Sequence, residues 1–183
     1  MRVLKILVSV ALTISCSVAL GQGASPLKLV VNLDVPRYLG RWYEIAKFPN
    51  SFQKKCASDT TADYELRPDG SLSVLNQCIR ADGEWETALG LARQIGSGKS
   101  ARLQVRFAPA WLSFLPFVWG DYWIVDLDEK YELAAVSEPK REYLWILSRT
   151  PVVDPSRYAA LMARLNAMGL DTGRLEKTAH LLQ

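Results

Sequence analysis

Leu103, Val105 and Phe107 alternate with Arg102, Gln104 and Arg106, the period of two that a half-buried β-strand imposes by turning successive side chains to opposite faces. Segments with β-like character recur along the chain at 41–48, 60–67, 71–79, 85–95, 100–107, 122–127, 131–137 and 142–149. Turn residues separate them: Pro68-Asp69-Gly70, Gly96-Ser97-Gly98, Asp128-Glu129-Lys130 and Glu138-Pro139-Lys140-Arg141. No helix interrupts the series, so antiparallel meander pairing is expected rather than a parallel sheet. An open sheet of eight strands would leave exposed edges, and closure removes them. The pattern therefore predicts an all-β fold, an eight-stranded up-and-down antiparallel β-barrel.

The period then changes. Asp154-Pro155 supplies an N-cap and a proline at the first helical position, Tyr158, Leu161, Met162, Leu165 and Met168 follow at helical spacing, and Gly169 is the natural stop. This predicts one C-terminal amphipathic helix packed against the outside of the barrel. A short turn of helix is expected near Val35-Pro36.

At the other end, Arg2 and Lys5 precede an uncharged apolar run from Ile6 to Leu20 that ends in Gly21-Gln22-Gly23. The run is short for a membrane span and reads as an export signal over residues 1–21, leaving a domain at 22–183. Ala19-Leu20-Gly21 offers the small residues a signal peptidase reads. Ser15-Cys16 offers a second route, lipidation at Cys16, although Thr13 stands where such signals usually carry leucine. An exported chain of this kind is expected in the cell envelope.

Charge and cysteine content narrow the chemistry. Without Arg2 and Lys5 the 22 basic residues become 20 against 19 acidic ones, so a near-neutral chain gives no electrostatic case for nucleic acid. Cys56 and Cys78 form an even pair in an exported chain, on strands joined by the turn at Pro68-Asp69-Gly70, and a disulfide between them is expected. The single histidine, His180, has no second ligand in view, so neither a metal site nor a cofactor is predicted, and haem would lack an axial ligand. No Gly-x-Ser-x-Gly elbow or phosphate-cradling loop occurs, and the protein is read as a binder rather than an enzyme.

Tyr38-Leu39-Gly40-Arg41-Trp42-Tyr43-Glu44-Ile45-Ala46 resembles the Gly-x-Trp signature on the first strand of lipocalins. Asp121-Tyr122-Trp123-Ile124-Val125-Asp126, with Asp128 and Tyr131, and Tyr143-Leu144-Trp145-Ile146-Leu147-Ser148-Arg149-Thr150-Pro151 match that family's later motifs in the same order. The branch resembled is that of the bacterial lipocalin Blc, the temperature-induced lipocalins and apolipoprotein D. The resemblance implies a barrel that holds a lysophospholipid, fatty acid or other lipophile, with a bacterial role in envelope lipid maintenance, in the periplasm or at the outer membrane through lipidated Cys16. It also gives Gly40, Trp42 and Arg149 structural roles: a tight turn, a plug at the closed end, and a cation across the indole.

Placing Trp42 inward sets the parity of the other strands. Glu44 and Ala46, Ala62 and Tyr64, Val74 and Asn76, Ala88, Gly90 and Ala92, then Leu103, Val105 and Phe107, Tyr122 and Ile124, and Tyr143, Trp145 and Leu147 are expected to line the lumen. Small residues on the second and fourth strands leave room, as ligand pockets do. An acyl chain is expected among Ala62, Val74, Val105, Phe107, Ile124 and Trp145, with Tyr122, Tyr143 and Asn76 bonding its polar end near the mouth. The apolar segment 108–120 is expected to bring Trp111, Phe114 and Phe117 over the mouth as a lid, or to touch a membrane surface or a second copy in a homodimer. Two other readings stay open: a flat pigment, haem or retinoid-like ligand among the aromatics, or a lipocalin-type enzyme with Glu44 as its buried acid–base group.

Overall fold

The computed structural model describes residues 26–181; the leader expected at 1–21 and the lipidation expected at Cys16 lie outside the described residues. Eight antiparallel strands follow one another around a closed barrel: β1 (Gly40–Lys47), β2 (Cys56–Leu66), β3 (Leu72–Arg80), β4 (Trp85–Gln94), β5 (Arg102–Arg106), β6 (Gly120–Leu127), β7 (Leu133–Ser137) and β8 (Leu144–Ser148). Each pairs with its neighbour in sequence, and β8 returns to β1 through Tyr43 opposite Ser148. The closure leaves no long exposed edge.

One short strand, β9 (Glu176–Lys177), was not expected. It pairs with Ala46 and Lys47, along the edge of β1 that β2 leaves after its last partner, Tyr43. The amide of Asp59 donates to the carbonyl of Ala179 at 2.8 Å, so the C-terminal segment fills the gap between β1 and β2 near the mouth. Two residues carry no readable period, which is why the alternation did not reveal them.

Bulges set which side chains face inward. Between Glu44 and Ala46 the register of β1 on β8 slips by one residue, and β6 slips on β7 between Ile124 and Asp126. An extra residue turns everything beyond it to the other face.

Two apolar layers result. Inside the barrel, Trp42, Tyr64, Leu72, Val74, Ala92, Leu103, Ile124, Ala134 and Val136 pack as one cluster. Outside, Ala46, Phe48, Val125, Leu133, Ala135, Leu144 and Ile146 meet Leu161 and Leu165 of helix α2 (Pro155–Ala167), with α1 (Val35–Tyr38) being the short turn of helix before β1. Asp154 caps α2 by accepting from the amides of Ser156 and Arg157, each at 3.0 Å, and Gly169 follows the helix with φ +78°. Arg164 forks onto Asp126 at 2.7 and 2.9 Å, and Arg157 reaches Asp128 at 2.7 Å, so the helix is fixed to the barrel at its polar margin as well.

Strand ends differ from the alternation where side chains cap turns. Tyr131, expected in the seventh strand, sits in the turn with φ +60° because the Asp128 carboxylate takes the amides of Glu132 and Leu133 at 2.7 and 3.0 Å.

Candidate ligand-binding site

The closed end is sealed by aromatics. Trp42, fully buried, donates its indole N–H to the carbonyl of Tyr38 at 2.8 Å and packs on the Tyr38 ring at 4.8 Å between centroids. The guanidinium of Arg149 lies 3.9 Å from the Trp42 ring centre. Gly40, at φ +86°, brings the chain into β1 beneath Arg149, whose nearest nitrogen is 3.6 Å from where a Cβ would stand.

Above this plug lies a chain of three phenols. The hydroxyls of Tyr38 and Tyr122 are 2.8 Å apart, and Tyr64 donates to Tyr122 at 2.9 Å. Burial pushes all three up: Tyr38 and Tyr122 well above the ordinary value near 10, Tyr64 to about 12. Tyr122 therefore does not offer its hydroxyl at the mouth, as expected from the sequence, but deep in the barrel. The shear of the strands sets Tyr122 beside Leu103, close to where β5 begins at the closed end.

The walls can be read row by row. Tyr64, Val74 and Gly90 are adjacent across β2, β3 and β4, and Ala62, Asn76 and Ala88 are adjacent in the next row towards the mouth. Leu72, Ala92 and Val105 continue the wall on β3 to β5. Ile124, Val136 and Trp145 form it on β6 to β8; Val136 was not assigned from the sequence because its strand is buried on both faces and shows no alternation. The amide oxygen of Asn76 is buried without a hydrogen-bond partner, flanked by the two alanines.

The space closes downward and opens upward. Val74, Ala92, Leu103 and Ile124 are buried, whereas Asn76, Gly90 and Val105 are half-buried and Ala88 is exposed. Phe107, expected inside, is 45% exposed just beyond β5, and its ring lies against Gly90, where an added Cβ would sit 2.7 Å from it. Cys56 and Cys78 are joined as expected from the sequence, with Cα atoms 5.5 Å apart, tying β2 to β3 on the mouth side.

Ala46 is not a lumen residue. The bulge at Ile45 turns it outward beneath α2, with Phe48, and brings Lys47 inward opposite Trp145. Lys47 places its ammonium 3.5 Å from the Glu44 carboxylate, which is 3% exposed and also accepts from Thr178 at 2.6 Å and Gln53 at 2.5 Å. Gln53 in turn accepts from the Trp145 indole at 3.0 Å. Tyr143 stacks on Trp145 at 5.7 Å and meets Phe52 at 5.3 Å, forming an aromatic margin at the mouth.

The segment between β5 and β6 is not a closed lid. Trp111, Phe114 and Phe117 are 73, 76 and 80% exposed. Two single 3-10 turns, Ala110–Leu112 and Pro116–Val118, hold them away from the lumen. Two external clefts of about 430 and 410 Å³ lie at the closed end, walled by segments 29–36 and 94–102. Their walls are the segment before β1 and the β2–β3 and β4–β5 turns rather than the lumen-facing rows, so the clefts lie outside the lumen.

The lipocalin-like domain family profile matches residues 33–180. Temperature-induced lipocalin-1 of Arabidopsis thaliana is 41% identical over 154 residues, 83% of this chain and 82% of the relative. The outer membrane lipoprotein Blc of Escherichia coli is 40% identical, covering 80% and 78%, and mouse apolipoprotein D is 34% identical, covering 87% and 82%. Insecticyanin of the tobacco hornworm shares the fold with a TM-score of 0.65 at 18% identity, covering 84% of each chain.

Proposed function

The chain belongs to the lipocalin family, and from that premise we propose that it binds an acyl lipid, a fatty acid or lysophospholipid, in the barrel lumen and serves lipid maintenance in the cell envelope. The observation that carries the reading is the buried, unpartnered amide oxygen of Asn76 between Ala62 and Ala88, above an apolar, aromatic-sealed floor. A buried acceptor left without a donor is costly, and the glycerol hydroxyl of a lysophospholipid would supply the bond, whereas a fatty-acid carboxylate brings no donor to it. The small side chains beside it leave width for the chain of the ligand.

Glu44 supports binding over catalysis. One carboxylate oxygen is engaged by Thr178 and Lys47 and the other by Gln53, an arrangement suited to holding the mouth together rather than to moving protons. The Blc relatives are named outer membrane lipoproteins, which supports placing this chain in the envelope.

The test is fluorescence displacement across a homologous series of fatty acids and lysophospholipids. Affinity is expected to rise with chain length until the lumen is full, each buried methylene contributing about 0.8 kcal/mol. Val105→Trp is expected to shorten the preferred chain. Affinity insensitive to both would place the ligand outside the barrel, and a co-purifying chromophore identified by mass spectrometry would overturn the acyl assignment in favour of a flat ligand.

A further inference from the structure

Four large aromatic side chains stand out from the rim of the mouth. Phe52, on the β1–β2 loop, is 69% exposed, and Trp111, Phe114 and Phe117 on the β5–β6 loop are more exposed still. In the order of the ring the two loops lie on opposite sides of the opening. Water-exposed tryptophan and phenylalanine at such density carry a solvation cost that calls for a partner.

The β5–β6 loop is chemically unusual in two further ways. From Ala108 to Trp119 it holds no charged side chain. Five of its ten backbone donors are also met from within: the amides of Leu112, Ser113, Leu115, Val118 and Trp119 bond to carbonyls of Pro109, Ala110, Leu112, Leu115 and Pro116, and residues 109 and 116, being proline, have no donor. The Trp119 indole donates to the carbonyl of Ser113 at 2.8 Å, and the Arg93 guanidinium lies 3.9 Å from the Trp119 ring, which fastens the loop to the outer wall. An irregular segment can enter an apolar medium only where its polar backbone groups are met, and this loop meets half of its donor demand internally, which suits the headgroup–acyl boundary rather than the hydrocarbon core.

We propose that the mouth of the barrel docks on a lipid bilayer, with Trp111, Phe114 and Phe117 entering the headgroup–acyl boundary and Phe52 touching down on the far side of the opening. Separate convex tips around an opening suit a fluid interface, which reshapes around each; a protein partner would have to provide a complementary surface with a gap at its centre. Lys54, exposed two residues after Phe52, faces the same end and adds attraction to anionic headgroups. Docked in this way the lumen opens onto the membrane, so that an acyl chain passes between bilayer and barrel without crossing water. That consequence rests on the lumen being the ligand site; the docking does not.

The experiment is flotation with vesicles of phosphatidylcholine, and of phosphatidylcholine with phosphatidylglycerol, using purified Cys16→Ser protein so that no acyl anchor contributes. The protein is expected to float with both vesicles, more strongly with the anionic ones. Each aromatic replaced by serine is expected to lower partitioning about tenfold. The triple variant Trp111→Ser, Phe114→Ser, Phe117→Ser is expected to stay with the soluble fraction while keeping its melting temperature and its uptake of a fluorescent fatty acid from solution. A triple variant that floats like its parent, or a parent that does not float, overturns the proposal. Concentration-dependent dimerisation of the parent that the triple variant loses, without flotation, would assign the tips to a second copy instead. Flotation without fatty-acid uptake would leave docking standing and remove the lumen reading.

Discussion

Arg149 closes the floor of the barrel by setting its guanidinium over the Trp42 ring and giving its donors to the chain around it: Nη1 to the carbonyl of Arg41 at 2.7 Å, Nη2 to that of Arg37 at 2.9 Å, and Nε to that of Tyr131 at 3.1 Å. One side chain thus ties the strand β8 end to α1, to β1 and to the β6–β7 turn. Arg149→Ala removes these bonds and the ring contact together and is expected to cost about 2–4 kcal/mol, lowering the melting temperature by roughly 5–10 °C. Arg149→Lys is not expected to rescue it, since an ammonium cannot fork between separated carbonyls. Thermal unfolding and ligand titration separate the roles: unchanged stability with lost binding would make Arg149 a ligand contact.

The phenol chain predicts an alkaline weakness. Because the folded-state values of Tyr38, Tyr64 and Tyr122 lie above the unfolded value near 10, the folded state holds its protons longer. Their contribution is complete below pH 10 and is lost as pH rises towards about 12 and beyond. Tyr122→Phe breaks both hydroxyl bonds and Tyr64→Phe only one, so the first is expected to be the more destabilising by about 1 kcal/mol. Chemical denaturation between pH 8 and 12, alongside the tyrosinate absorbance, reads both effects; phenols that titrate near 10 in the folded protein would refute the buried network.

The Cys56–Cys78 bridge, spanning a sequence separation of 22, is expected to contribute about 3 kcal/mol by restricting the unfolded chain. Intact mass under non-reducing conditions should show two hydrogens missing. Reduction should lower the melting temperature of the parent and leave a Cys56→Ser, Cys78→Ser variant unaffected. Equal melting before and after complete reduction would mean that the strands are held without it.

Gly90→Ala is expected to destabilise the barrel by about 1–3 kcal/mol. The added methyl would meet the Phe107 ring at 2.7 Å, which can swing away, and the Arg106 carbonyl at 2.9 Å, which belongs to the β5 residue paired with Leu91 of β4 and cannot. Adding Phe107→Ala should therefore recover only part of the loss. Full recovery would mean that the ring alone was in the way.

Local signals were the most legible. Asp154, Pro155 and Gly169 mark α2 because a cap, a proline and a stop each act within one turn. Alternation located the barrel strands and the lumen positions of Val74 and Leu103 for a similar reason, since parity survives wherever a strand is regular. Ala46 and Tyr122 fell elsewhere because their placement is decided between strands: one extra residue at Ile45 reverses the face, and barrel shear fixes the depth of Tyr122. Neither a bulge in Glu44-Ile45-Ala46 nor the shear has a composition of its own. The exposed tips of Trp111, Phe114 and Phe117 were visible as apolar residues but not in direction, which depends on the two 3-10 turns.

Lys47, brought inward by that bulge, gives the mouth a cation the alternation did not reveal. Its ion pair with Glu44 is loose, at 3.5 Å, and Glu44 is already held by Thr178 and Gln53, so among the described residues the ammonium keeps donors for an incoming anion. It lies opposite Trp145 on the lumen face, and on the acyl-lipid proposal it is the expected contact for a fatty-acid carboxylate whose chain runs below. A charge-assisted hydrogen bond of about 1.5–3 kcal/mol corresponds to roughly 10- to 150-fold in affinity. Lys47→Met keeps the length and apolar stem of the side chain while removing the charge. It is expected to weaken binding of a fatty acid by that factor and to leave the alcohol of equal chain length nearly unchanged. Lys47→Arg should retain most of the preference. Parallel titrations of the acid and the alcohol decide it: equal losses for both would mean that Lys47 only shapes the mouth, and no loss for either would move the head group to another part of the rim.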